Sequence, residues 1–438
     1  MAAQADRVVA ELTAKGVDVV RVVFPDLMGT ERSKELLVEQ LPAAVDRGVA
    51  FCRAVYHTSP LGDTVPVPGG LDAGLPDIDI VPDLDTLAVV PWEPGVATCI
   101  GDQRGGGESP RAVLGRIVAG LAESGLRPVV GPEMEYYLCV PAGAGFTPYS
   151  PEPGNVYVSG TRGDPELHLI RTIRRLRDFG LGVLGGNHEY FPGQFEINLA
   201  HSGALDAADR AFRFKAAVKD LARRDGQLAT FMAKPFNEHG ASGFHVHVSL
   251  ADAAGSNLGA DESSPHGMSP LLRHALAGVL RHAPALTALT NPTINSYKRF
   301  GPDTLAPWLI DWGLDNRSAM VRVPPDRGAG TRIEVRLPDA SANPYLVNAG
   351  VLAAMRLGIE DGSEPPEPLE GYGYDAARTA VLPMSLTAAL AALDGDSELQ
   401  SLLGKDFVTS YSALKRAEIA RFEQWVTDWE FREYAYHI

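Results

Sequence analysis

Residues 131–138, GPEMEYYL, place two carboxylates, Glu133 and Glu135, at alternate positions of a run that otherwise reads as a buried strand. Side chains alternate faces along a strand with period 2, so these two converge on one side while Met134 takes the other. Two further stretches repeat the pattern. GFHVHVSL (243–250) sets His245, His247 and Ser249 against Val246, and TRIEVRL (331–337) sets Arg332, Glu334 and Arg336 against Ile333 and Val335. Burying an unpaired carboxylate or guanidinium costs several kcal/mol. Three such strands therefore imply that cations and anions from outside compensate them, and the chain is expected to be built around metal ions and a polyanionic substrate.

The chain has 438 residues, 45% of them hydrophobic and 21% charged. That length suits two domains better than one large core. A formal net charge of -16 argues against nucleic acid or an anionic membrane as partner, since a basic face is their usual footprint. The N-terminal MAAQADRVVAELTAKG reads as an amphipathic helix without the apolar core of a signal peptide, and no later run is apolar for the length of a membrane span. Cys52, Cys99 and Cys139 are widely spaced and form no CxxC pair, so neither a disulfide framework nor a zinc site is indicated. A reducing cytoplasm is the expected compartment.

Val17 to Phe24 reads as a β-branched strand, and short apolar runs separated by Gly and Pro continue to Trp92. The stretch GDQRGGGESPR then breaks the pattern, and Ser109 and Pro110 supply an N-cap and first-turn proline for a helix to about Ser124. The domain boundary is expected there: a strand-rich module over 1–103 and a larger domain over 104–438. Beyond it, helices are expected over Ala207 to Asp225 and Leu271 to His282, the second stopped near Pro284. Two Gly-, Pro- and Ser-rich loops, about 141–164 and 251–268, read as lids or contact elements. From Ser412 to Glu430, Leu414, Phe422, Trp425, Val426 and Trp429 recur at helical spacing, which suits core or subunit contact better than a cofactor site.

The acidic set comprises Glu133, Glu135, Glu189 and Glu196 (the last two in NHEYFPGQFEINL, 187–199) and Glu334, with His245 beside them. Carboxylates with one imidazole and no thiolate suit Mg²⁺ or Mn²⁺ rather than structural zinc. More than one ion is expected, because so many carboxylates around one would leave charge uncompensated, and paired ions clamp transferring phosphoryl groups. A lone strand glutamate is commonly solvated or salt-bridged; the grouping carries the inference. The basic set is Arg299, Arg317, Arg322, Arg332 and Arg336. Arginine grips carboxylate and phosphate through a planar fork. Each alone pairs with a structural carboxylate as readily; clustered beside Glu334 they suit stabilisation of a transferring phosphoryl group. No Walker loop, Rossmann fingerprint or hydrolase elbow is present.

GPEMEYYL, NHEYFPGQFEINL, FMAKPFNEHGASGFHVHVSL (231–250), NPTINSYKRF (291–300), DNRSAMVRVP (315–324) and RIEVRLPDASANPYL (332–346), in this order, resemble the glutamine synthetase family. The likeness extends from VRVVFPDLMG (20–29) through PDIDIVPDLDTLAVVPW (76–92) to KRAEIARFEQWVTDWE (415–430). It implies an α+β fold, with an N-terminal β-grasp domain and a catalytic domain whose curved antiparallel sheet forms a funnel flanked by helices. It further implies homo-oligomeric rings, commonly two stacked hexamers forming a dodecamer, each site completed by the neighbour's N-terminal domain. By the same resemblance, Glu135, Glu189 and Glu196 hold one metal and Glu133, His245 and Glu334 a second near ATP. His247 and Ser249 fall on the nucleotide side. Arg299 and Arg336 grip glutamate, as does the loop containing Ala241 and Gly243. Arg317, Arg322 and Arg332 stabilise the transferring phosphate, and Arg322 and Arg332 also fall on the nucleotide side. The implied chemistry is γ-phosphorylation of glutamate by ATP, then attack of an amine on the acyl phosphate.

Two departures bear on the acceptor. Family members using ammonium resemble one another in a Glu-Ala-Pro flap after the YKR motif; here the segment is PDTLAPW (302–308), and Leu305 takes the glutamate's place. They also carry an aspartate in the N-terminal domain where this chain has VAFCRAVYHTS (49–59), with Cys52 or Arg53 at that position. Ammonium needs nearby carboxylate to be held and deprotonated. Losing both acids points to an organic amine and a γ-glutamylamide product, as in γ-glutamylpolyamine and γ-glutamylethanolamide synthetases. Asp303, Tyr56 and His57 are the candidate bases. Arg53 either meets an anionic acceptor or pairs with an acid across a subunit interface, the second being preferred. In the glutamate loop Gly240, Ala241, Ser242 and Gly243 replace Asn-Gly-Ser-Gly, which loses an asparagine contact. An ordinary ammonium-using glutamine synthetase and a catalytically silent ring protein are the competing readings; the second is disfavoured because every metal-ligand position and all five arginines are present.

Overall fold

The computed structural model describes residues 2–152, 156–377 and 379–438. They form two sheets and a helical layer, the α+β class expected, with a β-grasp-like N-terminal module ahead of a larger curved sheet. The first sheet holds β1 (Val19–Pro25), β2 (Glu31–Leu37), β3 (Val49–Cys52), β4 (Asp77–Pro82), β5 (Ala88–Val89) and β6 (Val96–Gln103), in the order β2-β1-β6-β4-β3 with β5 on β6. β1 runs parallel to β6 and antiparallel to β2. Alternation along β1 buries Val20, Val22 and Phe24 on one face and turns Arg21 to the other.

The second sheet is organised around one long strand, β7 (Arg127–Ala142). Its partners and neighbours are β8 (Gly145–Pro148), β9 (Val183–His188), β10 (Gln194–Leu199), β11 (Ser202–Gly203), β12 (Leu228–Thr230), β13 (Phe244–Ala251), β14 (Trp312–Leu314), β15 (Val321–Val323) and β16 (Ile333–Val335). The path runs β14-β15-β16-β13-β7-β10-β9, with β8, β11 and β12 also paired to β7. One face of these strands is the core: Met134, Tyr136, Ile197, Val246, Val248, Ile333 and Val335 are all fully buried or nearly so.

Helices cover that apolar face. Pro110–Glu123 begins as the sequence indicates, with the Ser109 hydroxyl accepting from Ala112 N–H and proline in the first turn. Ala204–Arg224 and the almost wholly buried Pro344–Asp361 follow the sheet. Pro270–Arg281 crosses Pro344–Asp361 so closely that a Cβ at Gly278 or Gly358 would strike the opposing backbone, so glycine is required at both.

The helix expected over Leu271 to His282 does end there, at Arg281, and Pro284 sits in the first turn of a second helix, Ala283–Thr290, where a missing N–H costs nothing. The C-terminal stretch is likewise two helices, Lys405–Glu423 and Asp428–Tyr434, the second started by a Thr427–Glu430 capping box. Leu414 is core, whereas Phe422, Trp425, Val426 and Trp429 are exposed in the single chain.

The module and the larger sheet are joined by buried charge. Arg111 donates to both oxygens of Asp209 (2.9 and 3.0 Å) and to Asp83 of the N-terminal module (2.8 Å), and Tyr345 donates to Asp209 at 2.6 Å. Arg111→Met is expected to destabilise the chain by about 3–5 kcal/mol, because Asp209 would remain buried without a counter-charge. Denaturant unfolding measures it; a midpoint unchanged from the parent would refute the role.

His168 is buried at the head of helix His168–Asp178, its Nε2 3.0 Å from the Tyr136 hydroxyl. Burial lowers its pKa from 6.5 to about 4, so the unfolded chain takes up the proton first as pH falls. Stability from this group is complete above pH 6.5 and is lost as pH falls towards 4, about 3 kcal/mol in all. His168→Gln is expected to flatten that part of the stability–pH curve, measured by denaturant midpoints across the window.

Candidate active site

Strand register alone assembles the site. Asn187, Glu196 and Glu135 stand opposite one another across β9, β10 and β7. Two residues back along β7, Asn198, Glu133 and His245 form the next row across β10, β7 and β13. Two further back, Gly131, His247, Glu334 and Arg322 form a third across β7, β13, β16 and β15. Because the alternation of each strand is in phase with its neighbour, all the polar side chains emerge on one face.

Glu334 is the most enclosed of the carboxylates, accepting from Arg336 Nη1 at 2.7 Å and Arg322 Nη1 at 2.6 Å. Burial would raise its pKa, but Arg336, His245, His247 and Arg322 hold it at about 2. Glu133 behaves similarly: burial opposes its charge, while His245 and His247 keep it well below the ordinary carboxylate range. His247 Nε2 lies 3.1 Å from Glu133 Oε1, and Arg332 Nε donates to His247 Nδ1 at 3.1 Å. Accepting at Nδ1 leaves the proton on Nε2, facing Glu133. His245 is pushed down to about 4 by burial and by Arg336.

Glu135, Glu189 and Glu196 have no arginine within ion-pair distance among the described residues. Burial, then mutual repulsion, pushes all three carboxyls well above their ordinary range. Neutral donors hold them: Gly243 N–H (2.9 Å) and Gln194 Nε2 (3.0 Å) on Glu135, Asn187 Nδ2 on Glu189 (2.7 Å), and Asn198 Nδ2 on Glu196 (3.0 Å). A cation arriving at this corner would relieve that repulsion. Ligand atoms fall within 4.8 Å of one another in two trios, Glu133–Glu196–His245 and Glu133–His247–Glu334. Oxygen and imidazole donors of this kind fit Mg²⁺ or Mn²⁺. The trios share Glu133 and include His247, whereas the sequence resemblance keeps two separate sets and gives His247 to the nucleotide.

The 240–243 loop closes over Glu135. Gly243 exchanges backbone and side-chain hydrogen bonds with it, and a Cβ at Gly243 would lie 2.7 Å from His245 Nε2 and 3.1 Å from Glu135 Oε1. The Ala241 carbonyl accepts from Gln194. Arg299 is buried and donates to the carbonyls of Leu337 (2.9 Å) and Arg336 (3.1 Å). Arg322 also pairs with Asp315 (2.6 Å), Arg332 with Asp326 (2.9 Å), and Arg317 is exposed near Glu189. Ser249 lies two residues beyond His247 on β13, opposite Val129. Asp303 and Leu305 both have left-handed backbones (φ 59° and 57°), and the Leu305 carbonyl accepts from Arg336 Nη2 at 3.5 Å.

Cys52 is exposed at the end of β3. Arg53 is bound to Glu108 within the chain (2.7 Å), and the same carboxylate meets His57 (3.0 Å) and the Ser410 hydroxyl, so Arg53 already has an acid of its own chain as partner. His57 is thereby fully buried and engaged, and Tyr56, also buried, has its hydroxyl pKa pushed up by that burial. Gln194, Asn187 and Asn198 are the site residues that sequence reasoning passed over. Their signal was present, since Asn198 lies two residues from Glu196 on the same strand face.

A glutamine synthetase catalytic-domain model matches residues 107–434. The glutamine synthetase of Halobacterium salinarum is 34% identical over 446 residues, covering 98% of this chain and 95% of the relative. That of Methanocaldococcus jannaschii is 35% identical, covering 95% of each. Among solved structures, a GmaS–ADP complex superposes with a TM-score of 0.87 at 33% identity, covering 98% of this chain and 99% of its own. The sheet register, the carboxylate–imidazole face and these matches agree, and the chain belongs to the glutamine synthetase family of ATP-dependent ligases.

Proposed function

We propose that the chain is an ATP-dependent glutamate–amine ligase that forms a γ-glutamylamide from a small organic amine. The observation that carries the acceptor is Leu305, an apolar side chain 42% exposed on the loop whose carbonyl Arg336 grips, where ammonium use would require a carboxylate. An apolar mouth suits an amine that carries carbon. GmaS, whose structure resembles this chain, is a γ-glutamylmethylamide synthetase, which supports the same reading. The competing reading, an ammonium-using glutamine synthetase, is favoured by the names of the sequence relatives.

In this proposal Arg299, Arg336 and the Ala241–Gly243 loop orient glutamate with its γ-carboxylate towards ATP. A carboxylate oxygen attacks the γ-phosphorus, the bond to ADP breaks, and Arg317, Arg322 and Arg332 stabilise the equatorial oxygens. His247 and Ser249 lie on the nucleotide side. Glu135, Glu189, Glu196, Glu133, His245 and Glu334 would hold two or more Mg²⁺ or Mn²⁺ ions, which would supply charge neutralisation for the phosphates. The amine nitrogen then attacks the acyl carbon, and phosphate leaves. The nitrogen must shed a proton, since an alkylammonium has a pKa of roughly 10. Asp303, the acid on the Leu305 loop, is the candidate for that role. We assign the working form to stacked hexameric rings in the cytoplasm, with the neighbour's Cys52 segment at the acceptor mouth.

Phosphate release from ATP and glutamate is expected to be faster with methylamine, ethanolamine or a polyamine than with ammonium, and Leu305→Glu is expected to raise ammonium use. Equal rates with ammonium and with every amine would overturn the acceptor assignment. Glu135→Ala and Glu334→Ala are expected to abolish turnover, and Asn198→Ala to weaken Mn²⁺ binding about 10- to 100-fold by freeing the Glu196 carboxylate. Calorimetric Mn²⁺ titration reads the last effect, and parental affinity in all three variants would show the ligand set to be wrong.

A further inference from the structure

A cleft of about 310 Å³ lies between the outward face of the N-terminal sheet and helix Ala204–Arg224, away from the carboxylate face. It exists because small side chains meet there, Ser33 and Thr98 from the sheet and Ala216 and Ala217 from the helix. Its walls are Trp92 and Phe179, whose rings stand edge to face at 5.1 Å. Most of its charges are matched. Arg21 binds Glu35 (2.8 Å) and Glu93 (3.1 Å), Arg224 binds Asp220 (3.0 Å) and Glu93 (3.4 Å), and Trp92 Nε1 donates to Asp220 at 2.7 Å.

Two charges are not. Arg213 gives one N–H to the Thr86 carbonyl and rests over the Phe179 ring, but its Nε is buried without a partner and no carboxylate lies within ion-pair distance among the described residues. Glu31, half-buried at the start of β2, has no hydrogen-bond or ion-pair partner among the described residues. Glu31 lies in the field of Arg21 first and then of Arg213, and Arg213 in that of Asp209 first and then of Glu31, but neither makes an ion pair among the described residues. A cation and an anion left apart in one enclosed space, each desolvated, form an incomplete arrangement. A dicarboxylate would satisfy Arg213 but be repelled by Glu31, and a simple amine would do the reverse.

We propose that this cleft binds a free α-amino acid as its zwitterion, the carboxylate on Arg213, the ammonium near Glu31 and an apolar or aromatic side chain against the joined rings of Trp92 and Phe179. The volume sits at the lower end of ligand pockets and suits a molecule of that size. The guanidinium offers the carboxylate the terminal N–H groups that the Thr86 carbonyl leaves free, and the aromatic pair provides apolar area. An occupant would bridge the N-terminal module to the helix that carries Asp209 and Lys215, the latter bonded to the Ser341 and Ala342 carbonyls.

The test is calorimetric titration of the full-length protein with L-phenylalanine and L-leucine, with glutamate and ADP saturating the catalytic face. At least one amino acid is expected to bind, with 3-phenylpropionate and 2-phenylethylamine, lacking the ammonium and the carboxylate respectively, weaker by about tenfold or more. Arg213→Met and Glu31→Gln are each expected to weaken binding by a similar factor while leaving basal turnover unchanged. Ala216→Met, which narrows the cleft without removing a charge, is expected to weaken it as well. No binding by either amino acid, equal binding by the analogues, or parental affinity in all the variants would overturn the proposal.

Discussion

The structure depends on concentrating ionisable side chains on one face of a sheet while the other face forms the core. Each carboxylate there loses hydration, and the fold tolerates this only because every one has a specific partner delivered by strand register. Glu334 has two guanidinium groups, Glu133 has two imidazoles, and Glu135, Glu189 and Glu196 have amide donors from Gln194, Asn187 and Asn198. A slip of one residue between β7 and either neighbour would send these groups into the apolar layer occupied by Met134, Ile197 and Val246.

The partners also divide the face into two electrostatic regions. Glu334 beside Arg336 and Arg322, and Glu133 beside His245 and His247, are held well below the ordinary carboxylate range, as a fixed negative surface. Around Glu135, Glu189 and Glu196 the carboxyls are raised by burial and by one another, so this corner gains most from an added cation. Arg299 and Arg336 border the same corner. Negative and positive groups thus lie within reach of a substrate that carries both carboxylate and phosphate.

Much of this was legible in the chain, because the signals are local. Period-2 alternation in GPEMEYYL and GFHVHVSL identified Glu133, Glu135, His245 and His247 as sharing faces, and Ser109-Pro110 announced a helix start that the structure contains. Readings that needed distant partners fared worse. The end of the helix before Pro284 was legible but the new helix that Pro284 opens was not, because in sequence nothing distinguishes a proline after one helix from a proline in the first turn of the next. Arg53 looked free for an interface because Glu108, more than fifty residues away, is identified only by folding.

The sequence by itself determined the fold class, the family and the residue types of the catalytic face, since each is written in short motifs whose periodicity the backbone obeys locally. Tertiary structure alone decided how those residues combine: that Glu133 stands in both ligand trios, that His247 joins one of them, and that Arg213 and Glu31 share a cleft without touching. Strand register and helix docking pair residues across tens to hundreds of positions. Those pairings depend on packing the whole chain, which no local pattern encodes.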